Sequence, residues 1–265
     1  MAKSSSLLRL TGKIGGMVFF ERYGETIVRE NNPITKAQIM SQDNFRRVRE
    51  NMQEFEGSTA AAKTMLDSFR KVLKRIGNKN SYPSLVALFR SVIALGTGVR
   101  GQLTMEIVPN RLRFLGFGFN TGQNFGSVYQ GTYTLAGNAN RNSATLTLPG
   151  FDPLDELRYP TGATHFRIAC GISSLSDMQY DIVLKRYVPV QPTLEALKDI
   201  AWTAEYDLFG GTVTPAPLTA ALPGAPVLTP DVGLVTVIAI EFLQEVAGNR
   251  YLLAQGNAIV IAEVF

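Results

Sequence analysis

His165 and Cys170 are the single histidine and the single cysteine of this 265-residue chain, so any chemistry that needs an imidazole or a thiolate must run through them. No Gly-x-Ser-x-Gly elbow accompanies His165, as a hydrolase nucleophile would require. A zinc site takes several nitrogen or sulfur ligands, and one His with one Cys cannot supply them without carboxylates. His165 opens an apolar segment, His165-Phe166-Arg167-Ile168, that reads as a strand. Cys170 alternates with Ile168 and Ile172 and therefore shares their face. A free cysteine in that setting is a small hydrophobe. A reactive thiolate needs an electropositive, accessible environment, which the local sequence does not offer. The carboxylates of Asp152, Asp155 and Glu156 lie close enough in sequence for acid–base work or a hard cation. They lack the alternate-residue spacing and glycine of a calcium loop, and Asp152 before Pro153 is ordinary turn chemistry.

Two glycine patterns have the letters of a phosphate cradle. Gly96-Thr97-Gly98-Val99-Arg100-Gly101 matches G-x-G-x-x-G. That fingerprint works when a strand precedes it and a helix follows, so that phosphate meets a helix N-terminus. Here helical spacing precedes it and strand spacing follows, which predicts a linker. Gly116, Gly118 and Gly122 fail on the same context and read as relief of crowding or a bulge. The basic runs are Arg46-Arg47-x-Arg49 and Lys71-x-x-Lys74-Arg75. Asp43 can pair with Arg47, and Arg46 with Glu50, at i,i+4; the second run suits a helix C-terminus. Neither has the interleaved aromatics of a single-strand nucleic-acid surface. No catalytic residue, metal or cofactor is expected, and the chain reads as a non-enzyme.

Around these residues, the period of the apolar positions changes along the chain. Residues 14–30 predict a β-hairpin turning at Tyr23-Gly24, with Phe19 opposite Val28 and Phe20 opposite Ile27. Pro33 ends it. Phe45, Val48, Met52 and Phe55 form one helical stripe, which Gly57 is expected to terminate, with Ser58 capping the next helix through Met65, Phe69, Val72 and Ile76. Pro83 fits the start of a third helix that stops at Gly96. After residue 102 the period becomes two. Strands are expected near 104–108, 111–119, 127–135, 143–148, 164–172, 179–188, 234–246 and 250–263, with a short helical insertion at 193–200. Five prolines between Pro215 and Pro230 exclude a central strand there and predict a surface loop. The fold class is therefore α+β: an N-terminal hairpin and three-helix module over 1–101, then an antiparallel β-sandwich or barrel over 102–265. The second part is expected to fold without the first.

Charge divides with the period. Residues 1–101 hold 17 Lys/Arg against 8 Asp/Glu, and residues 102–265 hold 9 against 14. No apolar run approaches the ~20 residues of a membrane helix. Arg9 and Lys13 interrupt any signal-peptide core. Cytoplasmic synthesis is expected, and release in a particle stays open.

The segment Leu10-Thr11-Gly12-Lys13-Ile14-Gly15-Gly16-Met17-Val18-Phe19-Phe20, with Val28-Arg29 and Phe45-x-x-x-Arg49-x-Asn51-x-x-Glu54-Phe55, resembles the start of a family of uncharacterised proteins from Bacteroidota. The resemblance covers about the first hundred residues and implies no activity. The leading expectation is a structural subunit of a homomeric assembly, its own partner. Contact with a neighbouring copy is expected through Met17, Val18, Phe19, Phe20, Ile27 and Val28, because a hairpin apolar on both faces needs two covers. The alternative is a β-sandwich that recognises carbohydrate or protein through Tyr129, Tyr133, Tyr159, Tyr180 or Tyr187. Nucleic-acid binding through the basic first part ranks third.

Overall fold

A computed structural model describes residues 2–4, 11–31, 33–76, 81–120 and 122–265. The chain forms two compact units, Met1–Arg49 and Glu50–Phe265.

The first unit is a four-stranded antiparallel sheet, β1 (Ala2–Ser4), β2 (Gly12–Ile14), β3 (Met17–Arg22) and β4 (Glu25–Glu30), in the order β1-β4-β3-β2. β3 and β4 form the expected hairpin, with Phe19 opposite Val28 and Phe20 opposite Ile27. Tyr23 and Gly24 both take positive φ, at 54° and 77°. Such a pair matches the right-handed twist of the strands it joins. Helix α1 (Lys36–Ser41) starts on a capping box: Gln38 N–H donates to Thr35 Oγ1, and Thr35 N–H donates to Gln38 Oε1. These bonds satisfy donors that the first helical turn would leave open.

Helix α2 (Arg46–Ser68) starts in the first unit and continues into the second, where α3 (Arg70–Ile76) and α4 (Ser81–Ile93) follow. α2 does not stop at Gly57. It runs through the glycine, and a Cβ there would lie 2.6 Å from the Tyr187 ring. Gly57 thus serves an aromatic ring packed against the helix backbone, a close approach that only glycine permits. Ser58 is mid-helix, its hydroxyl donating to the Glu54 carbonyl.

Then follow α5 (Phe125–Val128), β5 (Thr134–Gly137), β6 (Ser143–Thr147), α6 (Pro153–Glu156), β7 (His165–Ser176), β8 (Met178–Asp181), β9 (Arg186–Pro189), β10 (Lys198–Trp202), β11 (Tyr206–Asp207), β12 (Leu218–Ala221), β13 (Val232–Val246), β14 (Asn249–Leu252) and β15 (Ala258–Val264). β7 and β13 pair antiparallel from Val232↔Ser176 to Leu243↔His165. β10 and β11 flank β7, and β15 and β14 flank β13. Strand alternation gives this sheet two apolar faces. Ala169, Leu175, Val235, Val237 and Ala239 meet Phe69, Leu85 and Phe89 of the helices. Phe166, Ile168, Cys170, Ile238 and Ile240 meet Leu146 and Ala220 of a small sheet ordered β12-β6-β5. The architecture is α+β, with the larger antiparallel sheet between helices and a second sheet. It is a sandwich on one face only.

Several expected strands take other forms. Over 111–119 the chain makes a short helical turn and then bends at Gly116, φ 78°. Phe114 and Phe119 enter the core edge-on to Phe89 and Phe69. Aromatic packing there overrides strand propensity. Over 127–135, Asn124 caps α5 by accepting the Gly126 N–H, and only β5 is extended. Residues 179–188 form a hairpin, and 250–263 is broken at Gly256, φ 84°. Residues 193–200 form turns that lead into β10 at Lys198, with no helix. The proline-rich stretch holds only β12, an edge strand.

The expected boundary at residue 101 separates the helices from the sheet face they cover, whereas the compact units divide at Arg49. Residues 50–265 expressed alone should show a cooperative thermal melt by circular dichroism. Residues 102–265 alone should bind a hydrophobic dye and melt without a transition. A sharp melt for 102–265 would contradict this account of the core.

Candidate functional site

The six hairpin residues singled out above remain uncovered to different degrees. Met17 is 53% exposed, and Val18, Phe19, Phe20, Ile27 and Val28 are half-buried. Alternation places Phe19 and Val28 on one face and Val18, Phe20 and Ile27 on the other. On the second face the Arg29 guanidinium lies 5.7 Å from the centroid of the Phe20 ring. An exposed contact of that kind contributes about 0.5–1 kcal/mol.

The second unit exposes apolar side chains of its own. The stripe on α2 is present, but it faces away from the core: Met52 and Phe55 are exposed, while Gly57, Ala61, Ala62 and Met65 are buried. At the tip of the β8–β9 hairpin, Ile182, Val183 and Leu184 are 73%, 88% and 54% exposed. The tip is held in shape from within. Asp181 Oδ1 accepts the N–H groups of Val183 and Leu184 at 2.8 and 2.9 Å, and Lys185 takes φ 52°. Reading 179–188 as one strand hid this tip. The available signal was a broken alternation: three consecutive aliphatics directly after an aspartate, the residue that closes such turns.

The residues with chemical potential are held apart or already engaged. His165 and Cys170 lie an odd number of positions apart on β7, so they point to opposite faces. His165 Nδ1 contacts Thr164 Oγ1 at 2.9 Å, and its Nε2 lies 3.6 Å from Glu245. Cys170 is buried beside Ile168 and Ile172, as the alternation implied, and burial pushes its thiol up to about 12, with Asp199 adding to the shift. Asp152 caps α6 by accepting the Leu154 N–H. In the glycine-rich segment, the Gly101 N–H that a phosphate would need donates to Glu54 Oε1 at 2.7 Å. A Cβ on Gly96 would collide with the Thr104 carbonyl. These glycines pack a loop against α2. Arg49 donates to the Ile39 and Gln42 carbonyls and so closes the end of α1. Among the tyrosines, Tyr129 and Tyr187 are buried, and Tyr180 stacks edge-on to Tyr187. Among the described residues no group of three or more His, Cys, Asp or Glu could hold a metal, and no helix is long and apolar enough to cross a membrane.

One polar network was missed in the sequence. Glu241, fully buried on β13, stands opposite Arg167 of β7. Arg167 Nε and Nη2 donate to Glu241 Oε2 at 3.0 and 2.9 Å, and Arg75 Nε of α3 donates to Oε1 at 2.8 Å. Part of the second basic run is therefore an internal strut that joins α3 to the sheet. Arg167 also lies 4.1 Å from the Trp202 ring centroid. A second polar set sits where β7 ends. Burial pushes the Asp177 carboxyl up to about 6 and the Glu195 carboxyl up to about 7. Each accepts a backbone N–H, from Ile107 and Ser176 respectively, and these bonds oppose the shift. Glu106 and Asp231 add repulsion at Asp177.

Comparison with family models, with curated proteins and with solved structures finds no match to this chain.

Two measurements test the internal networks. Glu241→Ala leaves Arg167 without its main partner in a nearly buried position and should cost about 3–5 kcal/mol in urea unfolding. A loss below about 1 kcal/mol, the scale of a surface pair, would refute that role. For the carboxyls, the folded state holds protons more tightly than the unfolded state. Their contribution is complete below the unfolded values and is lost as pH rises through about 6 for Asp177 and about 7 for Glu195. Glu195→Gln should therefore melt higher than the parent near pH 8, with the gap closing toward pH 4. A gap that widens on acidification would reverse the sign.

Proposed function

We propose that this chain is a non-enzymatic structural subunit that associates with copies of itself through the β3–β4 hairpin. The observation that carries the reading is a four-stranded sheet whose apolar residues on both faces, Met17 through Phe20 with Ile27 and Val28, are left exposed or half-buried. Small sheets gain independent stability by burying a hydrophobic face. Association would supply that burial at roughly 25 cal/mol per Å² of apolar surface.

Charge supports a head-to-tail contact. Residues 1–49 hold nine Lys/Arg against four Asp/Glu, and residues 50–265 hold 17 against 18. A basic unit in one copy meets no like-charge repulsion from the nearly neutral unit of the next, whereas two basic units facing each other would repel. Such a contact uses different patches on the two partners and so closes into a ring or continues as a filament. The carbohydrate reading has less support, because Tyr129 and Tyr187 are inside the fold and Tyr180 packs on Tyr187.

Phe19→Asp combined with Phe20→Asp removes apolar surface from both faces while leaving the Tyr23-Gly24 turn intact. Light scattering should give a multiple of the 29.0 kDa chain mass for the parent and the mass of one chain for the variant. Circular dichroism should show the second unit still folded. A parent that stays monomeric at high concentration, or a variant that stays assembled, would overturn the proposal.

A further inference from the structure

A cleft of about 690 Å³ opens within the second unit between the α2–α3 junction and strand β10. Its lining comes from two places. Asp67, Ser68, Arg70 and Lys71 come from the junction, and Lys198, Ile200 and Trp202 come from alternate positions of β10, so they share one face of that strand. The volume lies within the range of small-molecule pockets, ~300–1,000 Å³.

The polar groups of the cleft are unequally engaged. The Asp67 carboxylate is bound by the Arg70 guanidinium. Asp199 turns one oxygen to the Ala221 N–H at 3.0 Å. Asp67 is thus neutralised by Arg70, whereas Asp199 keeps its second oxygen and its charge. The cations and donors are not used up in the same way. Lys198 Nζ donates to the Asp67 carbonyl at 2.9 Å, which occupies one of its three donors. Lys71 is exposed and has no ion-pair partner among the described residues. The Trp202 ring is engaged by Arg167, but its indole N–H has no acceptor among the described residues. The cleft therefore presents spare N–H donors and an excess of positive charge, Lys71 and Lys198 against Asp199. Trp202 is also held in place, because the guanidinium at its ring is anchored by buried Glu241.

We infer that this cleft binds a small phosphate monoester, with Lys71 and Lys198 on the phosphate and the indole of Trp202 against the organic part. Compact ammonium groups suit phosphate as point charges, and an aromatic ring accepts a flat base or a sugar face. The inference stands apart from the assembly reading, since none of the lining residues belongs to the hairpin.

Trp202 is the only tryptophan, so its fluorescence reports on this cleft alone. The full chain is titrated with adenosine monophosphate and with glucose 6-phosphate, and in parallel with adenosine and glucose, with calorimetry as a second readout. At least one ester should give a saturable change that its neutral parent does not. Stronger binding of the nucleotide would identify stacking on Trp202, and stronger binding of the sugar ester a polar contact; either supports the site. Lys71→Gln combined with Lys198→Gln should weaken binding by about tenfold or more, with an unchanged thermal melt. The inference is overturned if neither ester produces a saturable change up to ~10 mM. It is also overturned if the neutral parents bind as well as the esters, or if the double variant binds as the parent does.

Discussion

The β7–β13 pair is the constraint on which the second unit depends. These strands are buried on both faces along nearly their whole shared length. Antiparallel sheets commonly leave one face to water, and this one leaves neither. Two covers are therefore obligatory. The helices supply one through Phe69, Leu85 and Phe89, and the β12-β6-β5 sheet supplies the other through Ala220 and Leu146. Local details follow from the need to bring those covers close. A Cβ on Gly171 would stand 2.9 Å from Val237 Cγ2 of the neighbouring strand and in ordinary contact with Phe69, so a side chain there would have to displace Val237 within the sheet. Glu241 is the charged exception on the helix-facing side of β13. It is tolerated because Arg167 and Arg75 both reach it, and an unpaired carboxylate at that depth would be very costly.

The first unit presents the opposite situation. Its sheet has good local chemistry: a turn with positive φ at both central residues, a register fixed by that turn, and a capped helix after it. Among its described residues no comparable core cluster forms, and the side chains of α1 are all exposed or half-buried. A unit that specifies its backbone so firmly while leaving Phe19 and Phe20 half-buried is what motivates the proposal that a surface outside it completes the sheet. The preformed Ile182-Val183-Leu184 tip in the second unit has the same character. Its shape is set by Asp181, and its apolar side chains serve nothing within their own hairpin.

Sequence alone revealed the features governed by near neighbours. The β3–β4 register, the strand spanning Cys170 and the long strand after residue 232 all follow from turn chemistry and period. What stayed hidden depends on contacts distant in sequence. Gly57 reads as a helix stop because its reason for being glycine is Tyr187, 130 positions later. The stripe Val48, Met52 and Phe55 has the spacing of a core face, yet the small residues Ala61 and Ala62 face the sheet instead. Arg75 looks like part of a solvated basic run until Glu241 is seen beneath it. The hairpin residues were legible as unusual, because period two gave apolar positions on both faces. The cleft at Trp202 was not, because its two walls are more than a hundred residues apart in the chain.

The central claim is that the hairpin surface is completed by another copy. Hydrogen exchange of the full chain, followed by mass spectrometry at low and at high protein concentration, tests it most directly. Amides of residues 14–30 should exchange quickly in dilute solution and become protected as concentration rises, while those of β7 and β13 stay protected throughout. Equal protection of residues 14–30 at both concentrations would show that the hairpin is complete within a single chain, and would contradict the account.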